Sequence, residues 1–341
     1  MSDSGAGRRD IVVVGASAGG VDALRRFFRA LPADLPAAVL VVLHIPAHTP
    51  SQLDRVLSGV TELPVGVAED GEPLENGRVY VASADRHLML TPGGIRLSRG
   101  PKEGRVRPSV DVLFRSAALA FGPRVVGVLL SGAMDDGTAG LWAIKDSQGI
   151  ALVQDPAQAV HGSMPQSAID QVAVDLVGTA EALAARVAAL AATSAPPARA
   201  SAFDGQRALE NAIAMEGNAL KAGVMHLGKV SDYTCPDCHG VLVQIKEGPI
   251  TRFRCHTGHA FSLKALLAEV GNAIDNGLWD TLRAVEERVM LLRQMETLAR
   301  EAGASADAER CRAQAEASEQ RLQPIRELVL DPRFFGHDAQ D

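Results

Sequence analysis

Apolar and polar positions change rhythm along the chain. Up to about residue 177, short runs of β-forming residues alternate with segments whose apolar residues recur every three or four positions. IVVVG (11–15), AVLVVLH (38–44) and VVGVLLS (125–131) are almost wholly apolar, which predicts strands buried on both faces of a mostly parallel sheet. RVYVA (78–82), GIALV (149–153) and AVDLV (173–177) predict three more, with helices near 21–30, 50–58, 109–121 and 138–147 between them. The alternation is that of a doubly wound α/β fold with helices on both faces of the sheet. HLMLTPGGIRLSRG (87–100) departs from it, since two short runs about PGG predict an edge hairpin.

After an Ala-rich helix (179–193) the period disappears in a Pro-containing stretch of small residues, read as a linker over 194–204. A helical segment (205–222), a Cys-rich block (233–262) and two long helices (263–302 and 305–329) follow. Leu278, Leu282, Val285, Val289 and Leu292 form one seam, as in a helical hairpin or coiled coil. The expected plan is a first domain over 1–193 and a helical domain over 205–341 with a small zinc-ribbon-like insert at 233–262.

Composition narrows the function. The 341 residues are 47% hydrophobic with a net charge of −7, and the dispersed basic residues give no patch for nucleic acid. No apolar run nears the roughly 20 residues that cross a bilayer, so membrane insertion is not expected and a cytoplasmic location is. Of the four cysteines, at 235, 238, 255 and 311, three fall within one short block, a clustering that points to metal in a reducing compartment.

Polar residues stand at the ends of three apolar runs: Ser17 in GASAGG, His44 at the end of LVVLH, and the aspartates of SGAMDDG, Asp135 and Asp136. In an open parallel sheet such positions meet at the carboxyl edge. A serine hydroxyl needs a histidine to take its proton and a third group to orient the imidazole, and these residues supply all three. Gly15 is expected to permit a tight turn, and free N–H groups near 18–21, with one from SGAMDDG, are candidate oxyanion donors. Each residue also has a simpler reading: Ser17 as a helix cap, His44 as a core histidine, DDG as an ordinary turn. A dinucleotide loop fits less well, because the glycine spacing is not GxGxxG and no acidic residue closes the second strand.

VGASAGG, His44 in VVLHIP, PSVDVLFRSAA (108–118), GVLLSGAMDDGTAG (127–140) and QDPAQAVHGSMPQSAI (154–169), in this order, resemble the catalytic domain of CheB-type chemotaxis protein-glutamate methylesterases over about residues 10–190. The resemblance implies hydrolysis of glutamyl methyl esters on a methylated chemoreceptor, deamidation of glutamine in some members, and no cofactor for catalysis. It maps the catalytic residues onto Ser17, His44 and Asp136. Two departures stand out: Ala18 replaces a common threonine, and Ala133 and Met134 replace a methionine and a glycine. They keep a non-catalytic adaptor, binding a partner through the C-terminal module, as the alternative. Family members often carry a receiver domain ahead of the esterase, whereas ten residues precede the first strand here, so activity is expected to be constitutive, partner-driven or controlled by the C-terminal half.

In that half, CPDC and CHTGH supply Cys235, Cys238, Cys255 and His259 at the spacing of a structural zinc ribbon, with His256 and His239 as other candidates for the fourth ligand. The long helices are expected to contact a signalling partner.

Overall fold

A computed structural model describes residues 7–49 and 51–331, so position 50 of the helix expected at 50–58 and the last ten residues of the chain lie outside the described residues. The elements in chain order are β1 (Ile11–Ala16), α1 (Gly20–Arg29), β2 (Ala38–Leu43), α2 (Leu53–Ser58), β3 (Val65–Val67), β4 (Val79–Val81), β5 (His87–Thr91) and β6 (Gly94–Ser98). They continue with α3 (Val110–Phe121), β7 (Val125–Leu129), α4 (Thr138–Asp146), β8 (Ile150–Gln154), α5 (Ser163–Gln171), β9 (Leu176–Gly178) and α6 (Ala180–Ala191). Last come α7 (Asp204–Glu216), α8 (Ala219–Ala222), β10 (Lys229–Thr234), β11 (Val241–Glu247), β12 (Ile250–Cys255), β13 (Ala260–Ser262), α9 (Leu263–Glu301) and α10 (Ser305–Leu330).

Among the described residues, seven strands form one sheet in the order β3-β4-β2-β1-β7-β8-β9, with every neighbouring pair parallel. The chain winds outward from β1 through β2 and then returns to its other side at β7, which makes the carboxyl end of β1 the switch point where clefts form. All six residues of both β1 and β2 are buried, as continuous apolar runs require between two helical layers. One layer packs α1 and α6 on the sheet through Leu24, Phe27, Phe28, Leu183 and Val187, and the other packs α3, α4 and α5 through Leu113, Phe114, Leu141, Ile144 and Met164.

The sequence predicts six strands in this region and the sheet has seven. The extra one, β3, is a three-residue VGV segment after Pro64, too short for alternation to register. The strand expected at 173–177 lies instead at Leu176–Gly178. Asp175, at its expected centre, turns its carboxylate to Lys145 Nζ (2.8 Å) and the Ala151 N–H (2.7 Å), so pairing starts one residue later. The PGG segment is an antiparallel hairpin, β5–β6.

The chain divides into two compact units within α9, the first ending at Leu266. The first therefore includes the Cys-rich module, a four-stranded antiparallel sheet β10–β13. Residues before α7 are tied down: the Ala195 N–H donates to Gly7 O (2.6 Å), and Phe203 stacks edge-on against Trp142 with centroids 5.3 Å apart. Strand β12 buries both faces, Phe253 and Cys255 toward the module's own core and Arg252 and Arg254 toward Glu210 of α7 and Glu103.

Those arginines belong to a buried ion network. Glu103 accepts from Arg115 (2.7 Å) and Arg254 (2.6 Å), and Glu210 of α7 from Arg252 (2.7 Å) and Arg254 (3.0 Å). Glu247 joins Arg252 (2.9 Å) to Arg207 (2.7 Å), and Arg207 reaches Asp146 of α4 (2.6 Å). Buried charges persist only when paired and hydrogen-bonded in this way.

In the second unit α9 and α10 form a hairpin. Leu282, Leu292, Ala308, Ala315 and Leu322 are buried along it, and Arg293–Glu319 (3.1 Å) and Arg326–Glu286 pair across it.

Candidate functional site

Ser17 stands one residue beyond β1. It is not a cap: α1 begins after Gly19, whose left-handed φ of 69° makes the sharp turn, and no side chain caps that helix. The Ser17 N–H donates to Ser131 O (2.9 Å), holding the serine between the ends of β1 and β7, and its Oγ lies 3.0 Å from His44 Nδ1. Gly15 has a different reason from the turn expected of it. It sits within β1, where a Cβ would lie 2.3 Å from Val110 Cγ1, so its hydrogen lets the start of α3 press on the strand.

His44 follows β2, and its Nε2 is 2.7 Å from Asp136 Oδ2. With Nε2–H donated to that carboxylate, Nδ1 is the acceptor facing the serine. Asp136 is in turn held at the N-terminus of α3. Oδ1 accepts from Ser109 Oγ, the Asp111 N–H and the Gly137 N–H, each at 3.0 Å, and Oδ2 accepts from the Val110 N–H at 2.7 Å. Burial by itself would raise its pKa, but the His44 bond, the imidazole charge and the helix N–H groups outweigh it and hold the carboxyl below the usual range. The neighbouring Asp135 goes elsewhere: its Oδ1 accepts from Ser262 Oγ of β13 (2.8 Å), and burial pushes it up. Of the two aspartates, the structure brings Asp136 to His44.

Several N–H groups near Ser17 are already committed. Gly20's donates to Ser17 O (2.8 Å), Gly132's to His161 O (3.0 Å) and Met134's to Ser163 Oγ (3.1 Å). Those of Ala18, Gly19 and Ala133 have no acceptor among the described residues. Met134, where the resembled family has glycine, takes a left-handed φ of 68° that a glycine would accept without strain.

Sequence reasoning gave Ser109 no role, although a serine just ahead of an apolar helical run is the ordinary mark of a helix start. It caps α3 through Val112 N and donates to Asp136. Buried His87 lies beside it, donating from Nε2 to Pro101 O (2.9 Å) and accepting the Ser109 N–H at Nδ1 (3.3 Å). Burial lowers its pKa, consistent with that neutral pattern.

A second cluster lies in the Cys-rich module. Cys235, Cys238, Cys255 and His259 bring their donor atoms within 4.8 Å of one another. Cys238 and Cys255 Sγ are 3.6 Å apart, and His259 Nδ1 is 3.7 Å from both Cys235 and Cys255. Such edges belong to a tetrahedron whose centre is about 2.3 Å from each corner, the zinc–thiolate length, so the residues fit that ion. Burial pushes the Cys235 thiol up to about 12, while His259, Thr257 and Cys238 overcome the same burial at Cys255 and draw it down to about 5. His256 is turned against Gly240, where a Cβ would meet its ring at 2.1 Å, and is not in the cluster.

Residues 12–187 match the family model described as CheB methylesterase, just over half the chain. The chain belongs to that family. It is similar to protein-glutamate methylesterase/protein-glutamine glutaminase 2 of Anaeromyxobacter dehalogenans (strain 2CP-C), 44% identical over 172 residues, which are 50% of each chain. A putative enzyme of the same name from Leptospira interrogans serogroup Icterohaemorrhagiae serovar Lai (strain 56601) is 36% identical, over 51% of this chain and 91% of its own length. The solved Thermotoga maritima CheB methylesterase catalytic domain superposes with a TM-score of 0.51 at 34% identity, covering 53% of this chain and 98% of that one. The chain spans about half the length of most of the curated relatives it matches. No described helix is long and apolar enough to cross a membrane.

Proposed function

We propose that this chain is a cytoplasmic serine hydrolase that demethylates glutamyl methyl esters on a chemoreceptor or similar sensory protein. The observation that carries this is the unbroken line of hydrogen bonds from Ser17 Oγ through both nitrogens of His44 to Asp136. In this mechanism His44 Nδ1 takes the Ser17 proton as Oγ attacks the ester carbonyl. Asp136, ionised and clamped at the start of α3, fixes the tautomer and stabilises the imidazolium. The uncommitted Ala18 and Ala133 N–H groups serve the developing oxyanion, a backbone role that the loss of the family's threonine and methionine side chains leaves intact. The proton returns to the leaving oxygen, methanol departs, and water activated by His44 releases glutamate and frees Ser17. Glutamine follows the same path with ammonia leaving.

The Cys₃His cluster holds a structural zinc ion in this reading, with Cys235, Cys238, Cys255 and His259 filling all four positions and leaving none for catalysis. The ion would staple a module whose own core is small, and the α9–α10 hairpin would meet a signalling partner. Methanol release from a methylated receptor fragment by the wild type, lost in Ser17→Ala, tests the hydrolase. A wild type that releases none, and whose Ser17 resists a fluorophosphonate, leaves the adaptor.

A further inference from the structure

Beside His44 lies an open cavity of about 350 Å³ with His44, Ile45 and Pro46 in one wall and Lys102, Val106 and Arg107 in another. The second wall is a tight hairpin. Glu103 and Val106 exchange both backbone hydrogen bonds (3.3 and 3.1 Å), and the tip residues Gly104 and Arg105 have φ of 56° and 63°, the left-handed pair of a type I′ turn. It is rigidly mounted. Glu103 is buried between Arg115 and Arg254, the Gly104 N–H donates to Ala260 O (2.7 Å), and the Ala260 N–H donates to Lys102 O (3.3 Å). The Cys-rich module thus props this wall of the cavity from behind.

The cations of the wall are not equivalent. Arg107 is committed to Asp85 (2.9 Å at Nε) and to the carbonyl of Gly100 (2.6 Å), and Arg105 bonds Asp237 of the module (3.0 Å). The Lys102 side chain is half-buried, and its ammonium makes no hydrogen bond or ion pair among the described residues. An uncompensated ammonium on a pre-organised wall, in a cavity also lined by aliphatic Ile45, Pro46 and Val106, suits a short aliphatic stem ending in a carboxylate. We infer that Lys102 is a specificity-determining residue that holds the carboxylate of an acidic side chain flanking the glutamyl ester. The inference rests on the polypeptide substrate proposed above, and not on turnover.

The test is therefore binding, in the full chain carrying Ser17→Ala. Two synthetic peptides each hold one γ-methyl glutamate, flanked by glutamates in one and by glutamines in the other. Calorimetry should give about fivefold tighter binding of the glutamate-flanked peptide, the scale of one partly exposed ion pair, and the preference should shrink with added salt. Lys102→Met should abolish the preference, Lys102→Glu reverse it, and Lys102→Arg keep it. The unpaired lysine leaves no stranded partner when replaced, and unchanged thermal unfolding checks that each variant folds. Equal binding of the two peptides, or a preference that survives Lys102→Met, overturns the assignment. Methanol release by the wild type is read separately, so a Lys102-dependent preference without turnover removes the esterase and leaves the subsite.

Discussion

Replacing Asp136 by asparagine tests the proposed chemistry at its most constrained atom pair. Oδ1 receives three donors, two of them backbone N–H groups that cannot turn away, so the new NH₂ would be driven to the Oδ2 position. There it confronts the Val110 N–H and His44 Nε2. The histidine can relieve its share of the clash by moving its proton to Nδ1. That tautomer points N–H at Ser17 Oγ and leaves no base. A wrong tautomer costs about 10⁴-fold in kcat, or about 5.5 kcal/mol of barrier at 1.36 kcal/mol per tenfold. Losing the anion at a helix N-terminus, with one N–H left facing a donor, should also lower stability by about 2 kcal/mol. Asp136→Ala, which imposes no tautomer, should be impaired no more than the asparagine variant. Methanol release over single turnovers, with ¹⁵N spectra of the His44 ring, reads both effects. Turnover of Asp136→Asn within tenfold of wild type would show that Asp136 does not set the tautomer.

Four further outcomes follow from features elsewhere in the chain. Glu210→Ala takes one of two carboxylate partners from each of Arg252 and Arg254, leaving excess positive charge in the interior, and should cost about 3 kcal/mol in urea unfolding, while a loss below about 1 kcal/mol would mean water reaches the network. Although burial opposes it, Arg115 and Arg254 hold the Glu103 carboxyl down at about 2; a depressed folded pKa stabilises above the ordinary glutamate value and is lost as pH falls toward 2, so stability should decline across that window, less steeply in Glu103→Gln. Native mass spectrometry should find one zinc per chain, absent from Cys255→Ser together with a lower melting temperature, and Met134→Gly, freed of its left-handed φ, should melt slightly higher unless Met134 packs better than its exposure suggests.

What could be read in advance follows from how far each interaction reaches. Strands β1, β2 and β7 announce themselves because a run buried on both faces is apolar at every position, whereas β3 is a single pleat and carries no period. Ser17, His44 and Asp136 are legible since each interrupts or follows such a run, and parallel topology brings run ends together. The Cys₃His spacing is local and equally plain, although choosing His259 over His256 takes the turn that lays His256 against Gly240. The ion network is another matter. Arg115, Glu210 and Arg252 look like solvent-facing charges on their own elements, and the pairs that Glu210 makes with the two arginines span 42 residues or more. The one hint is RFR in β12: arginines alternating with a core phenylalanine on a strand whose far face is also covered.

That network also limits how such a protein could be assembled from parts. An apolar seam between an α/β sheet and an appended module tolerates many partners of roughly the right shape, but a seam of guanidinium and carboxylate groups is a barcode. Any other module grafted behind Arg115 and Glu103 would have to present opposite charges at matching places or leave ions stranded. Shuffling of these two pieces among relatives should therefore be rare, and changes across the seam should come in compensating sets.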